Sequence, residues 1–353
     1  MNKLTMRWKR NRVFKTTITL VLMTIILAVA FIVGVSLGPI SIPFKETIMI
    51  FLHKLQLINY AGFTDQQWVV ITEVRLPRVL VASFVGAALA VAGVAMQGLF
   101  RNPLVEPGYI GVSSGAALGA VCAIFFGWSA INQWLLPISA FIGALFAMFV
   151  IIIVWKATNQ RSIAVLLLLG IGVNSFFSAM MNVLVATSKN EQELRGIVFW
   201  LQGGLEARTW EHVLIISIPI TIGIIILFLF GSQLNMMLLG EDHAKTSGIN
   251  TRVTRNFVLT IAALITGAAV AVSGIIGFIG LVVPHILRLA IGPDHRLLLP
   301  ASALGGAAFL ILADLISRMV IQPITLQVGV VSALIGAPLF VFLIIRAYKG
   351  VSL

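Results

Sequence analysis

Long apolar runs broken by short polar segments recur from end to end of the chain. They lie at 16–37 and at about 76–98, 108–127, 134–155, 162–186, 213–231, 257–273, 275–290, 299–317 and 327–345. A single spanning helix needs about 20 apolar residues. The pattern therefore predicts an all-α membrane protein of about ten transmembrane helices. The seventh and eighth runs are separated only by Ser273-Gly274. A tight turn there gives two spans, whereas one broken helix would remove a crossing.

The first run follows Lys3, Arg7, Lys9, Arg10, Arg12 and Lys15 and contains Ala28-Val29-Ala30. A cleaved signal peptide has an apolar region of only about 7–15 residues, so this run reads as an uncleaved span behind a basic cytoplasmic N-terminus, residues 1–15. Two polar segments on one side are long. In residues 38–75, Phe44, Ile48, Phe51, Leu52 and Leu55 recur at helical spacing and predict a helix lying on the membrane surface. In residues 187–212, Leu194 to Leu201 followed by Gly203-Gly204 predicts a short helix stopped by glycine. One long segment, 232–256, lies on the opposite side. No polar linker divides the chain, which reads as one transmembrane domain over 1–353.

Composition agrees. The chain is 59% apolar, 10% charged and has a mean hydropathy of +1.06, where a soluble domain is about 25% charged. A soluble enzyme, a disordered chain and a nucleic-acid binder are excluded, and the surroundings are membrane lipid. Cys122 is the one cysteine and says nothing about redox compartment.

The +12 net charge acquires a direction when it is sorted by span. With the N-terminus inside, the six N-terminal bases join Arg101, Lys156, Arg161, Lys245, Arg252, Arg255, Arg288, Arg296, Arg346 and Lys349 on the inner side, 16 in all. Lys45, Lys54, Arg75, Arg78, Lys189, Arg195, Arg208 and Arg318, 8 in all, fall outside. Loops rich in Lys and Arg stay cytoplasmic, which predicts N-in, C-in. Glu106, Glu241, Asp242 and Asp294 are the acids of the inner segments.

Charge within the spans is scarce. Asp314 and Arg318 stand four apart near the outer end of the ninth run, the spacing of an i,i+4 pair. No series of buried acids or histidines could relay protons. No G-x-x-x-x-G-K-[ST] occurs, and His53, His212, His243, His285 and His295 fall in separate segments without metal-ligand spacing. No catalytic set, metal site or cofactor site is read in this chain, and His285 reads as packed or capping. Gly111, Gly115 and Gly119 are spaced to share one helix face for close packing. Gly274, Gly277 and Gly280 suit a kinked helix held tightly against a neighbour.

Residues Leu239 to Ile249 predict a two-turn helix on the inner face. Glu241 and Asp242 occupy its first turn, where acids meet the positive end of the helix dipole, and Gly248 occupies the C-cap. A loop helix resting on the bilayer and a docking element for a cytoplasmic partner are both open on this evidence.

Four segments together resemble one family. The first is Arg75-Leu76-Pro77-Arg78, Gly86-Ala87-Ala88-Leu89, Gly93 to Gln97, Asn102-Pro103-Leu104, Pro107-Gly108 and Gly111 to Ala116. The second is the inner loop just described. The third runs from Gly277 to His285 through Arg288 and Gly292 to Pro300, and the fourth joins Ala313-Asp314, Arg318 and Val328 to Pro338. They are similar to the permease subunits of bacterial ABC importers for ferric siderophores, haem and cobalamin (FecCD/BtuC-type). The resemblance implies a BtuC-like type II importer fold, a second permease subunit (homo- or heterodimer), two cytoplasmic ABC ATPase subunits and an extracytoplasmic substrate-binding lipoprotein. ATP and Mg²⁺ would then be held by the partner ATPase. Glu241, Asp242, His243, Ala244, Lys245 and Gly248 would form the ATPase-coupling helix, and Arg75, Arg78 and Arg318 would accept glutamates of the binding protein. Gln327 stands where the family usually has proline, and Ser247 where it often has leucine. Import of a ferric siderophore is the expected function, with an ion-coupled secondary transporter as the alternative.

Overall fold

The computed structural model describes residues 3–59, 62–158 and 163–349. Of the bases in the orientation count, Arg161 lies outside the described residues, as do the side chains of the N-terminal bases, Arg346 and Lys349. Sixteen α-helices are described, in chain order. They are α1 (Lys3–Ser36), α2 (Phe44–Lys54), α3 (Asp65–Val69), α4 (Leu76–Phe100), α5 (Val112–Phe125), α6 (Trp128–Ile131), α7 (Leu135–Ala157) and α8 (Ile163–Ala186). Then follow α9 (Glu191–Leu201), α10 (Trp210–Leu229), α11 (Gly231–Leu238), α12 (Glu241–Thr246), α13 (Thr251–Ser273), α14 (Ile279–Ile291), α15 (His295–Met319) and α16 (Val328–Lys349).

Each of the ten apolar runs holds a helix. Among the described residues, seven helices are long and apolar enough to cross a membrane. The other three, α5, α14 and the Val328–Leu343 part of α16, are shorter. Two of these are short for visible reasons. Pro107 opens a 3-10 turn, Pro107–Ile110, and Gly111 at φ +78° ends it, so α5 begins only at Val112. Gly274 at φ +68° stops α13, and Phe278, also left-handed at φ +69°, precedes α14. Left-handed backbone cannot continue an α-helix.

The chain reverses at Gly274. Below it, Ile275 lies against Gly329, Ser332 Oγ donates to the Gly277 carbonyl at 3.2 Å, and Phe278 lies against Gly336. Residues 275–278 therefore run alongside α16 from its first residues inward. The helix is thus interrupted at Ser273-Gly274 and resumes at Ile279.

The core is built on α4, which is buried almost all round and packs on α15, α13, α14 and α10. Small residues allow this. A β-carbon at Gly86 would meet the Gly306 carbonyl, and one at Gly93 the Gly280 carbonyl. Gly115 and Gly119 of α5 meet Gly143 and Ser139 of α7 in the same way. Gly111 has a second use: it caps α5, and a β-carbon there would meet Ile151 of α7 and Val173 of α8. Gly277 is corrected, since it precedes α14 and a β-carbon there would meet nothing within 4 Å. The outward faces of α1, α7, α8 and α10 expose Val21, Ile142, Phe176 and Ile218, as lipid contact requires.

The predicted surface helix is α2. Thr47 and Ile50 dock it, while Phe44, Ile48 and Leu55 stay exposed. The predicted short helix at 194–201 is the end of α9, which starts earlier because Asn190 caps it through the Glu193 N–H at 2.8 Å.

Candidate functional site

The helix ends sort into two groups. At one end, the C-terminal turns of α1 and α15 meet the start of α4. Arg75, in a π-helical turn (Val70–Arg75) that joins α3 to α4, donates to the carbonyls of Val35 at 3.2 Å, Ser36 at 2.6 Å and Ile40. Arg318 donates to the carbonyls of Gly34 at 3.0 Å and Leu37 at 3.2 Å. Between α4 and α15, the fully buried Asp314 carboxylate lies 2.8 Å from Arg78 and 3.1 Å from Arg318. The i,i+4 pair read from the sequence is thus half of a three-residue cluster.

This geometry limits what each arginine can present. Arg75 and Arg318 are each 4% exposed and spend their donors on backbone and Asp314. Arg78 has the more exposed side chain, at 11%. Nearby, Arg208 on the segment after α9 is half-buried, and burial, then the charge of Arg78, pushes its pKa down to about 10. Arg208 helps to line a cavity of about 560 Å³ with Glu193, Trp200, Glu206 and Gln327. Glu193 Oε1, Trp200 Nε1, Arg208 Nε and both amide atoms of Gln327 have no hydrogen-bond partner among the described residues. Such buried groups are costly unless met by water or a ligand.

At the opposite end, the loop between α10 and α13 is anchored twice. Asn235 of α11 accepts from the His295 N–H at 2.8 Å and donates to Asp294 at 2.6 Å, while Arg296 donates to Ser232 at 2.9 Å. Arg255 of α13, whose side chain is 5% exposed, donates to Glu241 of α12 at 2.9 Å. Ala244 is fully buried beneath α12, and Gly248 at φ +82° closes it. Asp242, His243, Lys245 and Ser247 form its exposed face. Gln97 near the end of α4 donates to the Gly280 carbonyl at 3.1 Å and accepts from Arg288 at 2.6 Å. His285 is packed and half-buried, and neither ring nitrogen is bonded among the described residues.

Between the two ends lies a cavity of about 270 Å³, which reaches Leu89, Asn174 and Thr266 near the middle of α4, α8 and α13. Glu106, Ser113 and Ser114 line it as well. The Glu106 carboxylate accepts from the Phe278 N–H, and Asn174 accepts from Ser114 at 2.5 Å and donates to the Gly108 carbonyl at 3.3 Å. The charge count had placed Glu106 in an inner segment. Its position between Pro103 and Pro107, beside an apolar run, was the signal that the backbone turns inward there. Asn174, Asn235 and Gln97 carried no such signal. Among the described residues no group of three or more His, Cys, Asp or Glu could hold a metal ion.

The profile of the FecCD transport family matches residues 26–346. The chain is 42% identical over 328 residues to the uncharacterized ABC transporter permease protein YvrB of Bacillus subtilis, covering 92% of each chain. It is 44% identical over 285 residues to the hemin transport system permease protein HmuU of Yersinia pestis, covering 80% of this chain and 85% of that one. Among solved structures, an inward-facing metal-chelate type ABC transporter superposes with a TM-score of 0.82 at 33% identity, over 93% of this chain and 98% of that chain.

Proposed function

The chain belongs to the FecCD transport family as an ABC importer permease, itself no enzyme, and on that premise we propose that it carries a ferric siderophore inward across a bacterial inner membrane. Relatives named as hemin and cobalamin permeases, and the metal-chelate type of the solved neighbour, support a metal chelate as cargo. Molybdate in another relative's name marks the alternative that must be tested.

One observation carries the mechanism: the two ends of the bundle hold different machinery. The end bearing α12 has the basic excess and faces the cytoplasm in our reading, so both termini lie inside and the ten helical runs make ten crossings. Glu241 and Arg255 fasten α12 to α13, and the exposed Asp242, His243 and Lys245 meet an ATPase subunit. A push on α12 then passes to α13 through that ion pair, and to α15 through Asn235. At the other end Arg78 and Arg208 meet the carboxylates of an extracytoplasmic binding lipoprotein. Arg75 and Arg318 fix the shape of that surface from beneath, where bidentate guanidinium geometry matters. Cargo passes from the Gln327 cavity toward the mid-depth cavity lined by Glu106 and Asn174. A second permease subunit completes the path.

Reconstitution tests this. The chain assembled with its ATPase should hydrolyse ATP faster when the loaded binding protein is added, and Arg208→Glu, which leaves the Asp314 cluster intact, should weaken that stimulation. Uptake by the chain alone, driven by an ion gradient without ATP, would establish a secondary transporter instead. Calorimetry of the binding protein with a ferric siderophore, hemin, cobalamin and molybdate decides the cargo, and tight binding of molybdate alone removes the siderophore assignment.

A further inference from the structure

We propose that a pocket between α7, α8 and α13, at the end bearing α12, holds one anionic phospholipid, with its phosphate on Lys156, Arg252 and the Trp155 indole and an acyl chain along Ile151, Ile152 and Leu259. The pocket has a volume of about 610 Å³. Its lining is divided along its length. Lys156 stands in the last turn of α7 and Arg252 in the first turn of α13, so both bases are at the same rim. Deeper, Met148, Ile151, Ile152 and Leu259 form an apolar wall. From Arg252 to Leu259 the helix rises about 10 Å. Charge at the rim and hydrocarbon beneath is the profile of a lipid and not of a soluble anion. No acidic residue lines the pocket among the described residues.

Trp155 supplies an independent observation. It is 9% exposed and its indole N–H has no partner among the described residues. One ring face is covered by the Arg255 guanidinium at 4.8 Å, which leaves the N–H as a donor for a phosphodiester oxygen. Basic pockets between helices at the cytoplasmic face recognise anionic headgroups through this combination. Arg255 also holds Glu241 of α12 at 2.9 Å. The occupied pocket therefore abuts the residue that anchors α12.

The test is native mass spectrometry of the full-length chain released from nanodiscs of equal parts phosphatidylglycerol and phosphatidylcholine. Wild type should retain one phosphatidylglycerol in preference to phosphatidylcholine. Lys156→Gln and Arg252→Gln, both at exposed positions, should each lower that preference roughly fivefold. Trp155→Phe should lower retention with both charges intact, and Leu259→Trp should fill the groove. Equal retention of the two lipids, or the same preference in all four variants, would overturn the proposal. Displacement of the lipid by millimolar inorganic phosphate would overturn it in favour of a free-anion site. Crosslinks from Lys156 to a second copy of the chain with no lipid retained would show a protein occupant instead.

Discussion

Arg78 and Asp314, 236 residues apart in the chain, are held 2.8 Å apart, with the Asp314 carboxylate fully buried. The pair ties the first turn of α4 to the last turns of α15, and Arg318 closes the cluster at 3.1 Å. Removing one member of a buried ion cluster leaves the others uncompensated, at a cost of about 3–5 kcal/mol. Asp314→Asn should therefore lose stability on that scale, because two arginines then face a neutral amide. Thermal inactivation in detergent measures it. A midpoint within a degree of wild type would mean that water or lipid already compensates the two charges.

Gly93 and Gly277 separate two uses of glycine. At Gly93 a β-carbon would press into the Gly280 backbone, which cannot swing aside, whereas at Gly277 it would meet open space. Gly93→Ala should cost at least about 1–3 kcal/mol through overpacking. Gly277→Ala should stay within about 0.5 kcal/mol of wild type. Parallel melts of the two variants check the order, and a reversal would mean that α4 and α14 can separate without penalty.

These contrasts show what could be read in advance. Helix positions were legible because an apolar run long enough to cross lipid has few other uses. Asp314 with Arg318 was legible because spacing of four is a local geometry. Arg78 as third partner was not, since nothing local relates residue 78 to residue 314. Gly115 and Gly119 met α7 at helical spacing, and Gly111 lies against Ile151 of the same helix, but its left-handed capping role was hidden because Pro107 starts a 3-10 turn just before it. Glu106 was counted with the inner segments because topology rules assume that polar segments leave the bilayer. The inward fold of that backbone is permitted only where it lines a protein cavity. Arginines 75 and 318 were expected as surface anchors, yet short-range spacing does not reveal that the end of α1 offers them its free carbonyls.

Glu241 tests transmission of force. The ion pair with Arg255 joins α12 to α13 at 2.9 Å, and the Glu241 side chain is 30% exposed. Glu241→Gln keeps the shape and removes the charge. ATPase assembly should persist, because the exposed face of α12 is untouched, while stimulation of ATP hydrolysis by loaded binding protein should fall roughly fivefold, a coupling loss of about 1 kcal/mol. Co-purification and ATPase assays on one preparation separate the two effects. If assembly and stimulation fall together, Glu241 serves docking and not transmission.

Gln327 sets stability against transport at the opposite end. It is 5% exposed, it lines the 560 Å³ cavity, and neither amide atom has a partner among the described residues. Its side chain lies against Gly204, where a β-carbon would collide with it. An amide left unpaired in the interior costs about 1–3 kcal/mol. Gln327→Leu fills nearly the same volume without that cost, so the variant should be more stable by about 1 kcal/mol. The burden persists in the wild type for a reason: a free donor and acceptor beside Arg208 and Trp200 is what a polar chelate entering this cavity would use. The KM for uptake should therefore rise several-fold in the variant, while binding-protein docking, which rests on Arg78 outside this cavity, stays unchanged. Sites kept for binding are commonly less stable than they could be. Gain of stability with unchanged KM would remove Gln327 from the path, and loss of stability would mean that ordered water already satisfies the amide.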